Sequence, residues 1–341
     1  MQYQNQPVPE TGSIISDLAK EALATFFNTL YDNNMGMGSI CIAVKDTVVY
    51  QHSVGYKFTT PTGKIPAHQY TRYRVGSISK SFTAVLIFQL YEEGLLDLNA
   101  VLSKYIPGVP NGDRIRISDL LHHRSGLHDI SDTPNFRAWS IVPKTQQQVI
   151  DRIIQCTPDF EPDQMAVYSN SNYIFLGFIA ERVTGLSLKQ LIKERICNRG
   201  QLNSTYYGGK IAVQHNECYS YTFQEDWVVE DSTCMDIAHG AGAVVASPYD
   251  LTLFIRAVFT GKFFSQETLE YLLTEKDTFG MGIHPIGFCG KPGHGHHGAL
   301  DGFASQVWYY PEEELSIAYC ANGLVYPINR IMIRVLQIIF K

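Results

Sequence analysis

The stretch "YRVGSISKSFTAVLIFQLYEEGLLDLN" occupies residues 73–99, and its centre reads Ser77-Ile78-Ser79-Lys80. A lysine three residues after a serine opens an almost wholly apolar run. The pattern predicts a helix that begins near Ser77, stops before Gly94 as its C′ residue, and is buried on all faces. On a helix, residues i and i+3 share a face, so Ser77 and Lys80 point the same way. A serine hydroxyl is a poor nucleophile until a base takes its proton. A lysine set among apolar side chains is costly as a cation, so its pKa falls and it accepts a proton or holds a neighbouring base. S-x-x-K is by itself a common tetrapeptide, with an ordinary surface pair as the plain alternative. In this chain Ser77 is the only serine with a lysine three ahead, and its flanks are apolar.

Upstream, residues 13–31 carry apolar side chains at helical spacing and predict a helix, after a polar tail of about a dozen residues. "SICIAVKDTVVYQHSVGY" predicts a hairpin turned at Lys45-Asp46, followed by a polar loop at "TTPTGK". Downstream, residues 95–237 read as mostly helical with loops. Ser118 is the expected N-cap of "ISDLLHH", and Ser247 caps a helix with Pro248 at its first position. After Thr278 the period changes to two. "FASQVWYYPEEELSIAYCANG" predicts two strands about a Pro-Glu-Glu turn, and an apolar-faced helix closes the chain. Strands near both ends and helices between them predict an α+β fold, a sandwich in which an antiparallel sheet from both termini is flanked by helices. The expected division is 1–94 with 238–341 as the sheet domain, and 95–237 as a mostly helical insertion.

Composition narrows the function. The 341 residues are 45% hydrophobic and only 18% charged, with a net charge of 27 − 33 = −6 and no basic patch. That argues for a compact enzyme-sized fold and against a nucleic-acid partner. No apolar run is long enough for a transmembrane segment. The seven cysteines form no C-x-x-C, and the opening residues lack a signal peptide's basic and apolar regions. As it stands the sequence reads as cytoplasmic, or as periplasmic or secreted if a signal peptide was trimmed. It leaves the oligomeric state open.

Two further motifs bear on Ser77. In "VYSNSNYIFLG", Tyr168 is a candidate general base, because a phenol near cations ionises more easily. Asn170 is a candidate to hold both a lysine and a substrate carbonyl. In "GHGHHGALDGFASQVWYY", His296-His297-Gly298 sits at a strand start, where glycine lets a substrate backbone lie along the edge. His296 is expected to titrate near neutral pH and to favour carboxylate-bearing substrates while protonated. Lys291-Pro292-Gly293 is the rival for this motif, disfavoured because its proline removes a ladder donor. The cluster His294, His296 and His297 raises a zinc hydrolase as an alternative, although no familiar ligand spacing follows it.

With the three motifs in this order, the sequence resembles the serine β-lactamase-like family: class C β-lactamases, penicillin-recognising D,D-carboxypeptidases and esterase relatives. The likeness runs from about residue 38 to 322 through "GSICIAVKDTVVY", "ISDLLHHRSGL" and "GAGAVVASPYDLTLF". It implies that Ser77 attacks an acyl carbonyl and that Tyr168, helped by Lys80, takes its proton. It also implies that Asn170 orients Lys80 and substrate, and that the N–H groups of Ser77 and Ala299 hold the oxyanion. Histidine stands where lactamases commonly carry lysine, which turns the expectation towards an esterase or D,D-peptidase acting on an ester or a D-amino-acid amide. The expected partner is a small-molecule or peptide substrate, with no cofactor and no metal. A catalytically idle binding protein on the same fold is the alternative from another class.

Overall fold

The computed structural model describes residues 15–60 and 63–340. The expected tail, and Ser13 at the start of the first helix, lie outside the described residues. Helix α1 (Asp17–Asp32) is capped by Ser16, whose hydroxyl accepts from the Ala19 N–H, and it buries Leu23, Phe27 and Leu30 at i, i+4 and i+7. Strands β1 (Gly36–Val44) and β2 (Thr47–Val54) form the expected hairpin, with Lys45 left-handed at the turn. The expected "TTPTGK" loop instead has flanks that pair antiparallel, Tyr56–Thr60 against Gly63–Pro66.

A 3₁₀ turn, Gly76–Ile78, precedes helix α2 (Ser79–Glu92), in which every residue from 79 to 90 is buried. Gly94 is left-handed just past its end, as the sequence predicts. Helix α3 (Asn170–Thr184) and the kinked α4 (Met235–Gly242) pack on α2. Helix α5 (Pro248–Phe259) has the expected Ser247 cap. Phe254 of α5 stacks on Phe82 of α2 with centroids 3.7 Å apart. Truncating either ring to alanine is expected to cost about 3–5 kcal/mol through lost burial and the cavity left behind.

The C-terminal part supplies β3 (His284–Phe288), β4 (Lys291–Leu300), β5 (Phe303–Tyr310) and β6 (Leu315–Leu324), then α6 (Ile328–Ile339). The main path of the sheet is β3-β4-β5-β6-β1-β2, antiparallel at each step, so the two chain ends meet where β1 pairs with β6. This is the antiparallel sheet from both termini that the sequence predicts. α1 and α6 cover one face around Phe27, Ile317, Val335 and Leu336. α2, α3 and α5 belong to the larger core that includes Val307, Ala318 and Cys320.

Three short strands within the expected helical stretch escape sequence reading: Tyr206–Tyr207, Tyr221–Phe223 and Trp227–Val229. Ser118 is not an N-cap. The helix starts at Ile117, because the Asp119 carboxylate reaches back to accept the Arg116 N–H at 2.8 Å and satisfies the first turn two residues earlier. Among the described residues, no helix is long and apolar enough to cross a membrane.

Candidate active site

Ser77 lies in the 3₁₀ turn that leads into α2, at the end of the helix where partial positive charge collects. Gly76 (φ +50°) and Gly298 bring this turn against β4. A Cβ on Gly76 would meet backbone atoms of Ala299 at 2.7–2.8 Å. A Cβ on Gly298 would stand 2.0 Å from the Val75 carbonyl oxygen and 2.9 Å from the Ser77 nitrogen. Only hydrogen fits at either place. Ser305 reinforces the contact, its hydroxyl donating to the Val75 carbonyl at 2.7 Å. The rival Lys291-Pro292-Gly293 lies at the other end of β4, where it pairs with β3.

The three expected side chains converge. The Tyr168 hydroxyl donates to Ser77 Oγ at 2.7 Å, and Lys80 Nζ stands 3.1 Å from the same oxygen. Lys80 also donates to Asn170 Oδ1 at 2.7 Å and to the Ala241 carbonyl at 3.0 Å. Both of those atoms can only accept. A neutral amine spends its two N–H bonds on them and turns its lone pair to the Ser77 hydroxyl. Electrostatics favours that state: Lys80 is fully buried, and desolvation brings its pKa down to about 7, opposed by the nearby Asp129 carboxylate. Tyr168 departs from expectation. Burial pushes its phenol up, outweighing the hydrogen bond to Ser77, so it holds its proton at neutral pH.

Sequence reading missed Asp129. Its carboxylate, only 7% exposed, accepts from the Asn170 backbone N–H at 3.0 Å and from Asn170 Nδ2 at 2.9 Å. It also accepts from the Ser131 N–H and hydroxyl at 2.9 and 2.8 Å. Four donors compensate a buried charge that would otherwise be costly. Because Asp129 can only accept, it fixes which end of the Asn170 amide faces it and turns Oδ1 towards Lys80. The Asp-x-Ser turn in "HDISD" was the available signal.

His296 requires a correction. It is 3% exposed, its Nδ1 is bonded to the His297 carbonyl, and its ring lies 4.7 Å from that of His284. Desolvation, followed by the neighbouring His284 and Lys80, pushes its pKa well below the ordinary histidine value. That direction favours the neutral imidazole, against the titrating charge expected of it. The three histidines do not converge on one point, although the rings of His296 and His297 lie 5.5 Å apart. His294 packs on Phe259 and His297 is exposed. No group of three metal-ligating side chains occurs among the described residues.

A cavity of about 450 Å³ opens at Ser77 and Ala299. Ile130, Phe136, Ile174 and Ile237 give it an apolar wall, and Arg137, Glu230, Thr233 and Asp301 line its polar part. Of the aromatics in the flanking loops, only Phe136 lines it. Trp139 packs under Arg152, Trp227 against Phe223, and the Tyr221 hydroxyl accepts from the Thr59 N–H.

Residues 23–336 match the family model described as Beta-lactamase. A penicillin-binding protein of Bacillus subtilis (strain 168) is 26% identical over 89% of this chain and 72% of its own length. The D-aminopeptidase of Brucella anthropi is 30% identical over 89% of this chain and 59% of its own. Among solved structures, the D-amino acid amidase of Ochrobactrum anthropi SV3 superposes with a TM-score of 0.83 at 21% identity, covering 95% of this chain and 99% of that one.

Proposed function

Starting from the fact that the chain belongs to the Beta-lactamase family and is a serine hydrolase of that kind, we propose that Ser77 is its nucleophile, acting on an ester or a D-amino-acid amide. The observation that carries this reading is the Ser77 hydroxyl held between the Tyr168 hydroxyl at 2.7 Å and Lys80 Nζ at 3.1 Å. Lys80, its pKa brought down to about 7 so that much of it is unprotonated at neutral pH, accepts the proton as Ser77 attacks the acyl carbon. The N–H groups of Ser77 and Ala299 hold the developing oxyanion, assisted by the helix end at Ser77. Tyr168 remains a phenol. It donates to Ser77 Oγ in the resting enzyme and relays the proton from Lys80 to the leaving group. Asn170, held by Asp129, keeps the lysine amine aimed at Ser77. Water then hydrolyses the acyl-enzyme.

The assignment of Tyr168 as relay, with Lys80 as acceptor, rests on the opposite directions in which burial moves the two groups. The experiment is hydrolysis of p-nitrophenyl acetate, with fluorophosphonate labelling read by peptide mass. Ser77→Ala is expected to abolish both, with the label on the Ser77 peptide of the wild type. Full-rate hydrolysis by Ser77→Ala overturns the reading.

A further inference from the structure

We infer that the cavity selects substrates whose acyl half carries an ammonium group, read by the Glu230 carboxylate that Arg137 holds in place. The inference rests on the serine-hydrolase reading above and names its substrate class.

Among the described residues, Arg137 is the only cationic side chain that lines the cavity, beside two carboxylates, Glu230 and Asp301. On formal charge this polar part is anionic. The terminal N–H groups of the guanidinium are already committed. Nη1 donates to Asp301 Oδ1 at 2.5 Å and to Thr233 Oγ1 at 3.3 Å. Nη2 donates to Glu230 Oε2 at 3.2 Å and to the Asp231 carbonyl. Two terminal amino groups carry four N–H bonds, and all four are engaged. The parallel pair that would grip a substrate carboxylate is already spent.

The two carboxylates differ. Asp301 is 1% exposed and also accepts from the Thr233 N–H and hydroxyl at 3.0 and 2.7 Å, so it serves to anchor the arginine. Glu230 is 29% exposed and is bonded to the guanidinium through Oε2 alone. Its Oε1 has no hydrogen-bond partner among the described residues. The unused capacity at this part of the cavity is that of an anionic acceptor, and its complement is a cationic donor. Position agrees: Glu230 and Asp301 line the same cavity as Ser77 and Ala299. Neither His296 nor His297 of the third motif lines the cavity.

The test compares three p-nitroanilides with the full-length protein: D-alanine with a free amine, N-acetyl-D-alanine and N-succinyl-D-alanine. The free amine is expected to exceed the acetylated compound at least tenfold in kcat/KM, with the succinylated one slowest. Glu230→Gln keeps shape and removes charge. It is expected to raise KM for the free amine about tenfold and to raise that for the acetylated compound much less. If none of the anilides turns over, the same order is expected among them as competitive inhibitors of p-nitrophenyl acetate hydrolysis. Equal or better use of the acetylated or succinylated compound overturns the inference, as does an equal loss on all three in Glu230→Gln. Fluorophosphonate labelling of Ser77 separates the failures. Labelling without amine preference sinks this inference alone, whereas absent labelling sinks the serine reading beneath it.

Discussion

Lys80 and Arg137 are two cations attached to one cavity, and the protein treats them in opposite ways. Lys80 is fully buried, with two acceptors that take its N–H bonds and a hydroxyl left for its lone pair. Arg137 is about half exposed and bonded to two carboxylates. Burial turns the first into a base with a pKa near the working pH. The second is a guanidinium, and its two carboxylates give it a structural task. One pocket thus obtains a proton acceptor from a buried amine and an electrostatic scaffold from a half-exposed guanidinium.

The largest test exchanges one cation for the other. Lys80→Arg places a group that cannot lose its proton beneath Ser77, and acylation is expected to slow about 10²–10⁴-fold. Stopped-flow release of p-nitrophenol measures this, with circular dichroism confirming the fold. An active Lys80→Arg enzyme would mean that the proton goes elsewhere.

Next in size is Asp129→Asn, expected to lower kcat about tenfold or more by freeing the Asn170 amide, on the scale of losses when the partner that orients a ligand is removed. It also sharpens the electrostatic argument through its pH profile. In the wild type, kcat/KM is expected to rise with pH through about 7, as Lys80 loses its proton. The Asp129 carboxylate favours the charged amine, so removing it is expected to move that midpoint to lower pH. A merely structural role for Asp129 would change the amplitude and leave the midpoint in place.

The reverse exchange, Arg137→Lys, is smaller. Three N–H bonds cannot replace the four that hold Asp301 and Glu230. KM for a free-amine substrate is expected to rise a few-fold, as for a partly exposed charge pair, while Ser77 labelling is retained. The smallest effect is expected at His296. Because burial favours its neutral imidazole, His296→Asn is expected to leave the pH midpoint unmoved between pH 5 and 8. A shift there would restore the titrating role that burial denies it.

The parts of this contrast that were legible in the sequence share a physical basis. Ser77 and Lys80 declare themselves by spacing on an apolar helix, and Tyr168 and Asn170 by a short motif at a helix start. The strand pairs announce themselves by period two. What escaped depends on long-range surroundings. The setting of His296 depends on His284, and the phenol of Tyr168 on a burial that no local pattern encodes. Asp129 matters through Asn170, which is 41 residues away in the chain. Arg137 gains meaning only when the loops carrying Glu230, Thr233 and Asp301 assemble around it.

The contact between Gly298 and the Val75 carbonyl separates these behaviours further. The nucleophile and its paired amide are spaced by atomic radii, a restraint that added electrolyte does not weaken. The arginine and its carboxylates are spaced by charge, which a Debye length of about 8 Å in physiological salt attenuates at half-exposed sites. Raising ionic strength should therefore relax which acyl groups the enzyme admits while leaving intact the turnover of a small uncharged ester.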